Sequence, residues 1–257
     1  MDLTTILGMI LATASISVGD ILEGGNPLHV IHLSSLLIVI PTAAFCAMTA
    51  THKKIVKAAF TELKIVFAGA KVNLGERIAQ LIEFSIIARR DGLLALESKT
   101  NDIENEFLRN ALMMLVDGKS FDEIRETMEI QTEELEEHYK ECSEYWIRFG
   151  ETCPTMGLVG AVMGLMLALQ KLDNPQEMAL GIAGAFTATV TGIFGSYALF
   201  SPWGNKMKAN GMDLVKEQRV ITEAIKGIAE GANPRDLEAK LFNFLSHGDV
   251  RISQFEK

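Results

Sequence analysis

The stretch from Gly150 to Asn205 constrains this chain more than any other. It reads as two apolar runs, CPTMGLVGAVMGLMLALQ and MALGIAGAFTATVTGIFGSYALF, joined by the polar turn KLDNPQE. Each run is long enough to cross the roughly 30 Å hydrocarbon core of a bilayer as a helix. Neither run contains a charged side chain. Gly157, Gly160, Gly164 and Ala168 recur at spacings of three and four in the first, and Gly184, Ala188, Gly192 and Ser196 recur at four in the second. Each helix therefore offers a face on which another backbone can come close. Thr187, Thr189 and Thr191 bring hydroxyls to the middle of the second helix.

The rest of the composition agrees with a membrane protein. Hydrophobic residues make up 48% of the 257, and the mean hydropathy is +0.20. An ordinary soluble domain gathers less apolar sequence into long runs. A net charge of -9 and a pI near 5.1 exclude a nucleic-acid binder, which needs a concentrated basic surface. Cys46, Cys142 and Cys153 are far apart and form no CxxC pair, so they suggest neither a disulfide framework nor a structural zinc site. The first apolar run lacks a basic leader and a small-residue cleavage site, so it does not read as a cleavable signal peptide.

Taken in order, Leu3 to Val18 is the first candidate span. DILEGGNP, from Asp20 to Pro27, supplies a polar turn, and a second apolar run follows from Leu28 to Ala50. Pro41 lies inside that run and predicts a kink. His29 and His32 share a face at its start, with no third ligand nearby to make a metal site. Basic residues at Lys53, Lys54, Lys57, Arg148, Lys206 and Lys208 flank the spans on one side, whereas both short turns carry more acid than base. By the positive-inside rule the N-terminus, the long middle segment and the C-terminal tail lie in the cytoplasm. The expectation is an all-α integral membrane protein with four spans. Residues 1–50 form one transmembrane hairpin, 51–150 a cytoplasmic helical domain, 151–202 the second hairpin and 203–257 cytoplasmic C-terminal helices.

The middle segment reads as helical throughout. Ile55, Val56, Ala59, Phe60, Leu63, Val66 and Phe67 form the apolar stripe of an amphipathic helix beside the membrane. LGERIAQLIEFSIIARRDGLLALE reads as two pieces broken at Asp91-Gly92, and the helix Asn105 to Val116 ends at Asp117-Gly118. Ser120 and Glu123 make a capping-box signature. They open an acidic helix that can lead almost directly into the third span. Arg89, Arg90 and Glu97 present both signs of charge at a turn, a pattern that can meet a complementary partner. After the fourth span, Pro202-Trp203-Gly204 predicts a helix stop. Asn233 with Pro234 predicts the start of a last helix.

No Ser/His/Asp arrangement, zinc-type cluster, phosphate loop or dinucleotide fingerprint occurs, so the sequence offers no catalytic residue, metal site or cofactor site. A protein that moves ions normally places an ionisable group within the bilayer and shields it from lipid. The spans contain none. A carboxylate for ion conduction must then come from another chain, packed against the threonine and small-residue faces of the third and fourth helices.

MDLTTILG, CPTMGLVGAVMGLM, AFTATVTGIFGSYALFSPWGNK and EGANPRDLEAKLFNFL together resemble the MotA/PomA flagellar stator proteins, and the similarity covers essentially the whole chain. The ExbB and TolQ energisers are more distant relations. The resemblance implies a subunit of the bacterial inner membrane in which five copies ring two copies of a MotB-like partner. That partner has one span carrying an ion-binding aspartate and a peptidoglycan-binding domain. It further implies that Thr189, Ala161 and Thr155 line the ion path, that Pro154 and Pro202 couple conformational change, and that Arg89, Arg90 and Glu97 face the flagellar rotor switch protein. Sodium-driven relatives tend to carry threonine at the position of Ala161, whose methyl cannot ligate sodium, so the resemblance implies a proton-driven motor and no enzyme activity. An ExbB/TolQ-like energiser of outer-membrane processes and a solute transporter subunit are the competing readings. The transporter would need a midplane substrate site for which this chain supplies few polar groups.

Overall fold

The computed structural model describes residues 2–26, 32–100 and 102–255. These residues are almost wholly helical. They divide into two units, Met1–Gly69 with His138–Asn210, and Ala70–Glu137 with Gly211–Lys257.

The first unit begins with α1 (Leu3–Leu22) and α2 (Leu33–Thr49). Asp2 caps α1 by accepting from the backbone N–H groups of Thr4 and Thr5 at 3.2 and 3.4 Å. Leu28, His29 and Pro27, where the second span and its histidine pair were expected to begin, lie outside the described residues. His32 is described, and its Nδ1 sits 2.8 Å from the Ser34 hydroxyl. The expected amphipathic helix is divided at Glu62 into α3 (Lys53–Thr61) and α4 (Leu63–Ala68). Glu62 takes a structural role at this joint, since its carboxylate accepts from the Tyr139 hydroxyl at 3.3 Å. Each helix end here finds a partner for its unpaired carbonyls, as buried polar backbone requires. Arg148 donates to Ala50 O at 2.8 Å, Trp146 to Ala59 O at 3.1 Å, and Asn210 to Ile65 O at 2.7 Å.

The second unit opens with α5 (Leu74–Asp91), capped by Asn73. Gly92 ends it at φ 85°, a left-handed conformation open to glycine at little cost. A 3₁₀ turn (Leu93–Leu96), the short α6 (Glu97–Thr100) and α7 (Glu106–Val116) follow. Helix α8 (Phe121–Leu169) is continuous over 49 residues and carries the expected capping box. The Ser120 N–H and hydroxyl both donate to Glu123 at 3.0 and 2.9 Å, and the Glu123 N–H donates back to the Ser120 hydroxyl at 3.4 Å. Residues from α5, α7, α8, α10 and α11 build this unit's core, in which Ile78, Leu81, Ile82, Leu108, Leu112, Ile124, Ile221, Ile225 and Leu241 are fully buried. One partly buried ion pair crosses it, with Arg77 Nε 2.7 Å from Glu217 and Arg77 Nη1 donating to Gln80 at 2.6 Å.

Helix α9 (Pro175–Phe194) is capped by Asn174 and continues through a π-helical turn, Gly195–Phe200, into α10 (Ser201–Ala229). The expected stop at Pro202-Trp203-Gly204 is therefore corrected: the helix runs on. A proline inside an α-helix normally clashes with the carbonyl four residues back. The widened turn immediately before Pro202 lets the helix pass it. Gly204 serves close approach instead, because a methyl there would lie 2.6 Å from Ile147 Cγ1 and 2.7 Å from Ser143 O. The last helix, α11 (Pro234–Leu241), starts as expected with the Asn233 side chain accepting from the Arg235 N–H at 3.1 Å.

The surface of the first unit is apolar where a soluble protein's is not. Helix α1 buries none of its residues. On α9, Leu180 and Phe186 are 72% and 70% exposed, and Leu158, Met166 and Leu169 of α8 stand out similarly. Contiguous exposure on this scale marks a surface covered by lipid or by other protein. Three helices, α1, α8 and α9 with α10, contain segments long and apolar enough to cross a membrane, and α2 is a shorter apolar helix of 17 residues.

Candidate functional site

The small residues of α8 and α9 close on each other. A methyl at Gly157 would lie 2.8 Å from Ala188 O and 3.2 Å from Gly192 Cα. At Gly164 it would meet Ala185 Cα at 3.1 Å, and at Gly181 the Cβ of Ala168 at 3.0 Å. This seam amends one expectation, that the small-residue faces stand open to a partner's carboxylate. Two helices of hydrocarbon-soluble sequence gain most by dispersion where their backbones come closest, so the faces are consumed by each other. What the seam leaves open is its flank.

The threonines of α9 are divided around that seam. Thr187 donates to Gly184 O at 2.9 Å and lies 3.0 Å from the Ser35 hydroxyl of α2, while Thr191 donates to Thr187 O at 2.8 Å. Thr189 turns the other way. Its hydroxyl reaches only Ala185 O of its own helix, at 3.4 Å, and it is half-buried. A back-bonded threonine hydroxyl keeps its lone pairs, so Thr189 can still accept from a protonated carboxyl or solvate a proton carrier.

On α8, Ala161 is half-buried one turn beyond Gly157 and so borders the seam, as does Pro154 beside the buried Cys153. A methyl on Gly157 would lie 3.4 Å from Thr189 Cα, which places Thr189 and Ala161 at neighbouring levels of the hairpin. Thr155 is different. It is exposed and lies two residues from both Cys153 and Gly157, on the far side of α8 from the seam. The two prolines are offset along the hairpin: Pro202 follows Ser201, which packs against Gly150, one turn before Pro154, whereas Pro154 follows Cys153, whose carbonyl a methyl on Gly192 would meet at 2.6 Å.

Around them sits an aromatic collar that hydrophobic periodicity does not single out. The rings of Phe149 and Phe200 stack at 3.8 Å between centroids, and Trp146 and Trp203 pack on Phe200 at 6.3 and 5.3 Å. Trp203 donates to Met9 Sδ of α1 at 3.2 Å, and Lys206 pairs with Asp2 at 2.5 Å, so α1 is fastened beside the π-helical turn. The Lys206 ammonium first, and the Thr4 hydroxyl next, hold the Asp2 carboxyl down at about 2. Near α3, burial followed by the charges of Glu62 and Glu141 pushes the Cys142 thiol up to about 11, which keeps it unreactive at neutral pH.

In the other unit, Arg89, Arg90 and Glu97 are all exposed beside the Gly92 turn. Asp91 engages the Arg90 guanidinium at 2.7 to 3.0 Å. Among the described residues no ion pair forms on Arg89 or Glu97. Arg89 and Glu97 line separate shallow clefts, the first with Ser85 and Gly227, the second with Met113 and Asp117.

A model of the MotA/TolQ/ExbB proton channel family matches residues 99–219. Motility protein A of Helicobacter pylori is 60% identical over 256 residues, with 100% of each chain covered. The chain belongs to the MotA/TolQ/ExbB proton channel family. Among solved structures, the MotAB structure of C. jejuni contains a chain 85% identical, which matches with a TM-score of 0.97 over 99% of this chain and 100% of that one. A chain of the flagellar MotAB stator complex from Bacillus subtilis is 35% identical, with a TM-score of 0.88 over 96% and 97%. Family membership together with the lipid-suited surface of α1, α8 and α9 makes this MotA/TolQ/ExbB chain a membrane protein.

Proposed function

We propose that this chain is a flagellar motor stator subunit that works with a MotB-like partner to turn proton flow into rotation. The observation that carries the reading is an end-to-end match to motility proteins, combined with apolar runs in α8 and α9 that hold threonine and small residues but no carboxylate. Four spans cross the bacterial inner membrane with both termini cytoplasmic. Five copies surround two copies of the partner, whose single span brings the ion-binding aspartate to the flank of the α8–α9 seam. Thr189 and Ala161 line the proton's route there, and Thr155 lines it from the opposite face of α8.

The physical sequence follows from charge. Protonation of the aspartate removes a full charge from a low-dielectric site, so the neutral and charged forms favour different surroundings. Each proton descending the field supplies about 2.3 kcal/mol per 100 mV. With two aspartates in a five-fold ring, successive protonations step the ring around its partner. Pro154 and Pro202, beside the aromatic collar, pass that step to the cytoplasmic helices. Arg89 and Glu97 then act on the rotor switch protein. Arg90 contributes less, because Asp91 already meets its charge.

Two substitutions test the reading in cells that express the partner. Thr189→Val should reduce proton conduction without loss of the complex from the membrane. Arg89→Glu should leave conduction intact and impair torque. Normal swimming by both variants refutes the assignment.

A further inference from the structure

The seam between α8 and α9 is smooth. Glycine and alanine faces hold two helices close, but they fix the rotation of one against the other weakly, because few side chains interlock. Direction has to come from hydrogen bonds. Among the described residues, α9 makes side-chain hydrogen bonds to one other helix, at a single serine of α2. Ser35 is 2% exposed, and its hydroxyl lies 3.0 Å from Thr187 Oγ1, 3.3 Å from Gly184 O and 3.4 Å from His32 Nδ1. Hydroxyl hydrogens can be assigned consistently. Ser34 donates to His32 Nδ1, Ser35 to Thr187, and Thr187 to Gly184 O.

We propose that Ser35 is a positioning residue for proton conduction: by holding Thr187 it sets the rotation of α9 and so the direction in which Thr189 is presented. This rests on the reading that Thr189 lines the proton's route. Thr187 and Thr189 are two positions apart, roughly half a turn of one rigid helix. Any rotation that carries Thr187 away from Ser35 carries Thr189 through the same angle. The Thr189 hydroxyl has only a long bond to its own helix to resist that rotation. The serine therefore acts from the far side of α9 without touching the ion.

The test measures proton flux per assembled complex in proteoliposomes containing this chain and its MotB-like partner, with a pH-sensitive dye inside. Ser35→Ala and the nearly isosteric Thr187→Val should each lower flux about threefold, the factor that corresponds to an interhelical hydrogen bond of usual strength in a membrane. Thr187→Ser, which keeps the hydroxyl, should conduct like the wild type. The double variant Ser35→Ala/Thr187→Val should be no worse than either single one, because both remove the same bond. Unchanged flux per complex in both single variants, a loss that multiplies in the double variant, or a fall in complex yield alone overturns the proposal. Thr189→Val run in parallel separates the two readings. Normal flux in that variant refutes the ion-path reading and the proposal with it, whereas loss of flux there with normal flux in Ser35→Ala and Thr187→Val refutes the positioning role alone.

Discussion

Replacing Gly192 by alanine adds one methyl at the tightest point of the α8–α9 seam. That methyl would lie 2.6 Å from Cys153 O, 3.0 Å from Gly157 Cα and 3.2 Å from Cys153 C. All three are backbone atoms, so no side chain can swing aside. Comfortable carbon contacts begin near 3.5 Å, and the helices must part by roughly 0.5 to 1 Å to reach them. Parting them weakens every contact along the seam, and overpacking of this kind costs about 1–3 kcal/mol. Gly184 supplies the control on the same helix, since a methyl there meets only His32 Cε1, at 3.7 Å. Alanine also favours helix over glycine by up to about 1 kcal/mol, so Gly184→Ala should be neutral or mildly stabilising. Thermal melting of the purified complex, followed by tryptophan fluorescence, should place Gly192→Ala about 4–8 °C below the wild type and Gly184→Ala level with it or above. Equal Tm values for the two variants refute the packing argument.

Two further outcomes follow from the ends of the chain. The Asp2 carboxyl is depressed in the folded protein from 3.8 to about 2, so its stabilising contribution is complete above pH 3.8 and disappears as pH falls through about 2. Lys206→Met should lower stability at neutral pH by on the order of 1 kcal/mol, and the gap from the wild type should close over that acid range in melts taken at successive pH values. At the other end, Glu238 is 6% exposed and accepts from the Ser253 hydroxyl at 2.8 Å and the Gln254 N–H at 2.7 Å. Glu238→Ala removes both bonds. Limited proteolysis should then cut between Ser246 and Phe255 several-fold faster, with the rest of the chain unaffected.

Local signals in the sequence were read correctly where one side chain decides the outcome. Ser120 with Glu123, Asn233 with Pro234, and the stops at Asp91-Gly92 and Asp117-Gly118 all depend on bonds or dihedrals within a few residues. The apolar runs likewise announce α8 and α9, because length and lack of charge suffice. Pro202-Trp203-Gly204 misled because its rule is local and its resolution is not. The turn that accommodates Pro202 lies upstream, and Gly204 is needed for the approach of α8, which comes from far away in sequence. The same distance hid Ser35. A serine pair in an apolar helix has no periodic signature, and its meaning depends on Thr187, 152 residues further on. The division of the three threonines by hydrogen-bond partner also required knowing which faces of α9 were already occupied.

The π-helical turn at Gly195–Phe200 sets the phase of everything beyond it. Gly192 and Gly204 both pack against α8, yet they are 12 positions apart. At 3.6 residues per turn that spacing leaves them about a third of a turn out of phase. Absorbing one residue in the widened turn makes the interval behave as 11, close to three whole turns, and both glycines fall on one line. A single-residue deletion within Gly195–Phe200 would keep the composition of the hairpin almost unchanged. It would leave both glycines facing α8 along a regular α-helix, and would instead take from Pro202 the widened turn that spares it the clash with the carbonyl four residues back.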